Sequence, residues 1–88
     1  MAFQYDSTKA ALNVKKHGVS LSDAEGIFYD PLAIYLPDPD AEGEERFVAL
    51  GLGSAGDLLV VVYTLRDDDV RLISARRATR KEIRDYES

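Results

Sequence analysis

The sequence predicts an α+β fold, with two N-terminal helices, an antiparallel sheet of three to four strands and a C-terminal helix. Three observations carry that expectation. Apolar residues recur at helical spacing as far as Asp30-Pro31. The period then shortens to two, and LLVVVY at Leu58–Tyr63 is apolar on both faces, the mark of a central strand. Thr79-Arg80-Lys81-Glu82 forms a capping box, the start signal of a last helix. Helices first, strands next and a helix to close is an α+β order rather than an alternating one.

The elements follow in turn. AFQYD reads as a short strand or an extended lead-in. Asp6 or Ser7 caps a first helix that runs to about His17, where Gly18 ends it. At 100° per residue, Ala10, Ala11 and Val14 fall on one side, and Lys9, Asn13, Lys16 and His17 on the other. The first set is expected to face the core. Leu12 falls on the polar side and is expected either to meet another element or to sit exposed. Ser20 starts a second helix with Leu21, Ala24, Ile27 and Phe28 as its buried stripe, and Asp30-Pro31 ends it.

Leu32–Leu36 reads as a strand, and PDPDAEGEE as a turn-rich acidic connection. Arg46–Leu52, Leu58–Arg66 and Val70–Arg76 are three further strands. By period two, Ile73 and Ala75 are expected to face the core, with Ser74 and Arg76 on the opposite face. Thr64 and Arg66 likewise share a face. The last helix spans about Arg80 to Glu87, with Ile83 and Tyr86 as its core contacts.

Eighty-eight residues make one domain (1–88) with one modest core. No cysteine is present, so a thiolate nucleophile, a disulfide framework and a zinc ribbon are excluded. The N-terminus lacks an apolar stretch of signal-peptide length, and the longest apolar run is too short to span a bilayer. A cytoplasmic protein without membrane contact is expected.

Several motifs are discounted. GLGSAG at Gly51–Gly56 matches G-x-G-x-x-G, but a dinucleotide site needs a helix to follow and here a strand does. It reads as a hairpin loop. The acidic run Asp38, Asp40, Glu42, Glu44 and Glu45 does not have the spacing of a calcium loop, and no metal is expected. The five tyrosines read as core or edge residues, without the aromatic pattern of an RNA-recognition sheet.

What remains is a local charge anomaly. The chain has a formal net charge of −5, yet six of its eleven cations (Arg71, Arg76, Arg77, Arg80, Lys81 and Arg84) lie between Arg71 and Ser88. Arginine suits phosphate, being permanently charged and planar with donors set for bidentate contact. The alternative is a set of surface ion pairs with the chain's sixteen carboxylates.

Charge alone does not choose between these two readings, and a resemblance carried by motifs along the chain shifts the balance towards phosphate. FQYD, Lys9, Asn13, KHGVS at Lys16–Ser20, Asp30-Pro31, EER at Glu44–Arg46, VVVYTLR and I-S-A-R-x-A-T-x-x-E-x-x-x-Y from Ile73 to Tyr86 occur in order. In these the chain resembles the BrnT family, the toxins of bacterial type II toxin–antitoxin pairs. Tyr5 stands where that family's opening motif commonly has tryptophan. The resemblance implies a RelE-like fold and a ribonuclease that inhibits translation. It implies a BrnA-like ribbon-helix-helix antitoxin as partner, RNA as substrate and DNA contact only through the antitoxin complex.

Metal-independent RNA cleavage needs a base for the 2′-hydroxyl, cations for the phosphorane and an acid for the leaving oxygen. No cofactor is required. Arg66, Arg76 and Arg77 are the candidate cations, and Glu45 and His17 the candidate proton-transfer groups. Imidazole exchanges protons near neutral pH; a carboxylate does so only when partly buried. Lys16, Thr64, Ser74, Arg80 and Arg84 are the candidate RNA-binding residues. A lone histidine near a helix end also serves the helix dipole. The rival reading is a non-catalytic or decayed homologue whose basic surface only docks the antitoxin.

Overall fold

The computed structural model describes residues 2–88. Its elements are β1 (Phe3–Gln4), α1 (Ser7–His17), α2 (Leu21–Ala24) continued by a 3₁₀ helix (Glu25–Tyr29), β2 (Ile34–Pro37), β3 (Phe47–Leu52), β4 (Leu58–Arg66), β5 (Asp69–Arg77) and α3 (Arg80–Glu87). The sheet has five strands in the order β1-β5-β4-β3-β2. It is mixed rather than antiparallel: β1 pairs parallel to β5, Phe3 with Val70 and Gln4 with Arg71. Two residues carry too little alternation to reveal a strand, and the pairing is made by a partner far along the chain.

α2 and the 3₁₀ helix cover one face of this sheet. Leu21, Ala24 and Ile27 are buried there against Ala49, Val61, Leu72 and Ala75, and the expected stripe holds. Tyr63 anchors the aromatic part, edge-on to Phe28 at 4.9 Å and stacked on Phe47 at 5.5 Å. Each such pair contributes about 0.5–1.5 kcal/mol beyond its buried area. Gly26 lets the 3₁₀ helix approach the β3–β4 hairpin. A Cβ there would lie 2.5 Å from the Ser54 nitrogen, whose N–H donates to the Asp23 carbonyl at 2.9 Å. Gly26→Ala is therefore expected to destabilise by about 1–3 kcal/mol, read as a lower urea midpoint at unchanged slope. The GLGSAG stretch forms the end of β3 and this hairpin, as its context required.

Two expectations fail, for related reasons. Val62 pairs with Ser74 but Tyr63 pairs with Leu72, leaving Ile73 as the extra residue of a β-bulge. Leu72 and Ala75 both reach the core, and Ile73 does not. The faces of α1 also hold only in part: Ala10 packs on the core and Lys9 and Lys16 are exposed, but Ala11, Asn13 and Val14 depart from expectation. Asn13 is buried at 6% exposure, whereas Val14 and Leu12 are more than half exposed. α1 runs along the edge of β5 rather than on an apolar face. Beyond β1 that edge has unpaired backbone groups, and the Asn13 amide meets them. Its Nδ2 donates to the carbonyls of Ala75 and Val19, both at 2.9 Å, and its Oδ1 accepts the Ala75 N–H at 3.1 Å. Asp6 caps this helix, and Gly18 ends it in the left-handed conformation at φ 68°.

β2 is the opposite edge. The Asp38 N–H donates to the Arg46 carbonyl at 2.8 Å. By alternation, Tyr35 and Pro37 direct their backbone nitrogens outward, and proline has no N–H. The free edge keeps one ladder donor, too few to recruit another strand.

Candidate nucleic-acid interface

The second face of the sheet is where the site is built. Register sets its rows. Ile34, Leu50, Val60 and Arg76 form one, and Leu36, Val48, Val62 and Ser74 the next. Thr64 and Arg71 form a third, which alternation extends to Arg46 and Asp38. Branched apolar side chains thus make a floor with polar groups at its ends. α3 packs over the Leu50 end, closing an apolar hollow of about 310 Å³ between Ile34, Leu36, Val48, Leu50, Val60 and the side chains of Lys81, Glu82 and Asp85. The rest of the floor is open.

That open part is a hollow of about 440 Å³. His17, Ser74 and Arg76 line one side, Val48, Val60 and Val62 the floor, and Asp38, Pro39 and Asp40 the other side. His17 and Ser74 also line a shallower hollow of about 190 Å³ with Lys9, Lys16 and Ile73. The two form one trough with a cationic wall. His17 thus reaches Arg76 because α1 follows the β5 edge, a placement no local pattern encodes.

Arg76 is held by Glu82, Nη1 to Oε1 at 2.8 Å and Nη2 to Oε2 at 2.9 Å. Oε1 also accepts the Thr79 N–H, while Thr79 Oγ1 accepts the Glu82 N–H, completing the capping box. Chiefly through the Arg76 hydrogen bonds, the Glu82 carboxyl is held down at about 2, and the Arg76 guanidinium is pushed up in turn. At the far end of α3, Tyr86 donates to Asp30 Oδ2 at 2.6 Å. Burial alone would push the Asp30 carboxyl up, but this bond and the Leu52 and Leu32 N–H groups bring it below its ordinary value. α3 buries no residue fully and is fixed mainly by these two polar clamps.

The remaining candidates divide. Thr64 is buried and donates to the Glu45 carbonyl at 2.7 Å, a positioning contact. Arg66, two residues on, shares its face but lies at the hairpin tip, 4.0 Å from Glu44 with both side chains about half exposed. Arg77 pairs with Leu59 on the first face, 3.9 Å from Asp57, and donates to the His17 carbonyl at 3.4 Å. It is not on the face of Arg76. Arg80 and Arg84 are exposed on α3 and do not line the trough. Glu45 is exposed and lines a separate hollow beneath the acidic loop with Arg46 and Glu44, so it lacks the burial its proposed role required.

Three further groups lie on the second face, and of these Asp38 alone lines the trough. Arg46 and Arg71 are half-buried on the second face, and the Arg46 Nε is buried without a partner among the described residues. Asp38, which the sequence places in the acidic connection, directly follows β2 and lines the trough. Extending the alternation of each strand by one or two residues would have found all three.

Among the described residues no group of three or more His, Asp or Glu side chains is set to hold a metal ion, and no helix is long and apolar enough to cross a membrane. No curated protein matches the chain in sequence. The 1.1 Å crystal structure of the Brucella abortus ribonuclease toxin, BrnT, has the same fold. Its TM-score is 0.71 at 23% identity, over 91% of this chain and 99% of that one. The model of a family described as the ribonuclease toxin, BrnT, of type II toxin–antitoxin systems matches residues 5–82, and with most of its length so matched the chain belongs to the BrnT family.

Proposed function

We propose that the chain is a metal-independent endoribonuclease that cuts RNA within the trough on the second face and so inhibits translation. A BrnA-like antitoxin restrains it and carries the DNA contact of the complex. The observation that supports this most is the convergence of His17, Ser74 and Arg76 on one open hollow of nucleotide size.

RNA supplies its own nucleophile. Neutral His17 accepts the 2′-hydroxyl proton as that oxygen attacks the adjacent phosphorus. Arg76, with Lys16 alongside, stabilises the phosphorane charge, and Ser74 donates to a phosphate oxygen. The P–O5′ bond breaks, and the departing oxygen takes a proton from imidazolium or solvent. The products are a 2′,3′-cyclic phosphate and a 5′-hydroxyl. A net charge of −5 opposes loose binding of RNA, so binding falls to the local cationic wall.

The test is antitoxin-free protein on bulk RNA in EDTA. His17→Gln is expected to cut at least about 100-fold more slowly than wild type while remaining folded. An unchanged rate would remove His17 from the chemistry. Arg76→Ala is expected to lose cleavage as well. A second reading, an antitoxin-docking module without catalysis, is favoured by one fact: Glu82 already occupies both Nη groups of Arg76. Folded wild-type protein that binds antitoxin but leaves RNA intact, with or without ribosomes, would establish it.

A further inference from the structure

We infer that Asp38 reads a guanine base in the hollow it shares with His17, Ser74 and Arg76, so that cleavage falls beside guanosine. The inference rests on the ribonuclease proposal and concerns which RNA the trough accepts.

A carboxylate in a phosphate-binding hollow repels the ligand unless it meets hydrogen-bond donors. Asp38 is placed to meet them. It follows Ile34 and Leu36 on the second face, and its backbone N–H is tied to the Arg46 carbonyl at 2.8 Å. Its Oδ1 accepts the Asp40 N–H at 3.0 Å, which orients the group, and Oδ2 has no partner among the described residues. Between Asp38 and Arg76 lies the floor of Val48, Val60 and Val62, with no polar side-chain atoms. A base laid on that floor presents its edge to Asp38 and its sugar-phosphate to the cationic wall.

The chemistry of the edge selects the base. A carboxylate accepts at both oxygens, with about four lone-pair sites, of which one is used here. Guanine offers two adjacent donors, N1–H and N2–H. Adenine and cytosine each place one amino donor beside a ring-nitrogen acceptor, and uracil flanks its single N–H with two carbonyls. Only guanine gives the carboxylate a bidentate pair without repulsion.

The experiment uses a uridine-rich oligonucleotide with a single guanosine, and its twin with inosine, which lacks the 2-amino group. Wild type in EDTA is expected to cut beside guanosine, and inosine to slow cutting by roughly ten-fold or more, the scale of a bidentate base contact. Asp38→Asn keeps the oxygen that accepts the Asp40 N–H. It is expected to remove the difference by slowing the guanosine substrate, which loses two contacts, more than the inosine substrate, which loses one, and Asp40→Asn to preserve it. Equal wild-type rates on the two substrates, or discrimination that survives in Asp38→Asn, overturns the inference and leaves the ribonuclease proposal standing. Binding is measured in parallel on 2′-deoxy versions of both, which resist 2′-hydroxyl attack. Absence of cleavage with a guanosine preference in binding that Asp38→Asn abolishes would overturn the ribonuclease proposal, and the cleavage position with it, and leave the guanine contact of Asp38 standing. Absence of cleavage with equal or no binding overturns both.

Discussion

Asn13→Ala is expected to cost about 3–5 kcal/mol of stability, a large share of the roughly 5–15 kcal/mol that holds a typical domain folded. The methyl group leaves the Val19 carbonyl and both backbone groups of Ala75 without partners in a buried position. Each carries a desolvation cost of about 1–3 kcal/mol, reduced where water enters. Urea denaturation reads the loss, and amide exchange at Ala75 locates it. Asn13→Asp separates hydrogen bonding from shape. The carboxylate still accepts the Ala75 N–H but faces two carbonyls at donor distance, so this variant should be nearly as damaged at neutral pH. It should regain stability as the pH falls, because the protonated acid donates again. Equal stability of Asn13→Ala and wild type would mean that the β5 edge is solvated rather than sealed.

Glu82→Ala is expected to lower stability by about 2–3 kcal/mol. Loss of the capping box contributes about 0.5–2 kcal/mol. The Arg76 contact is discounted for solvent, because that side chain is 43% exposed. In a domain of this size the change corresponds to roughly 10–20 °C in Tm. The pH dependence carries the signature. The folded Glu82 carboxyl sits at about 2 against an ordinary 4.5. Its contribution is therefore complete above 4.5 and is lost as the pH falls from there through about 2. The gap between wild type and variant should close over that window. The variant should also hold RNA more tightly than wild type, since it releases Arg76 from its partner. Weaker RNA binding by a folded variant would mean that Glu82 holds Arg76 in its working position rather than competing with RNA for it.

Local chemistry was legible where one residue acts on its neighbours. Asp6, Gly18, Ser20 and the Thr79–Glu82 box bound their helices as written, and α3 spans the residues expected. What failed depends on partners distant in sequence. β1 exists because Val70 and Arg71 are there to pair with it. The bulge at Ile73 moves the inward position from Ile73 to Leu72, and nothing in RLISARR marks it. Asn13 looked like a surface residue because its polarity was set against an imagined apolar face, when its true neighbour is a backbone edge. The candidate site followed the same division. Ser74 and Arg76 were placed by alternation, while Arg77 fell on the other face and Glu45 outside the trough.

The parallel pairing of β1 with β5 also bears on how the protein is made. Its contacts join residues 3 and 4 to 70 and 71, and Asn13 to Ala75. Contacts of such separation form late, after the loop between them has closed. His17 leaves the ribosome well before the strand that carries Ser74 and Arg76. A nascent chain therefore displays half of the trough and no assembled wall of charge. Under the proposed activity, a translating ribosome is shielded from the chain it is producing until β5 has emerged and paired.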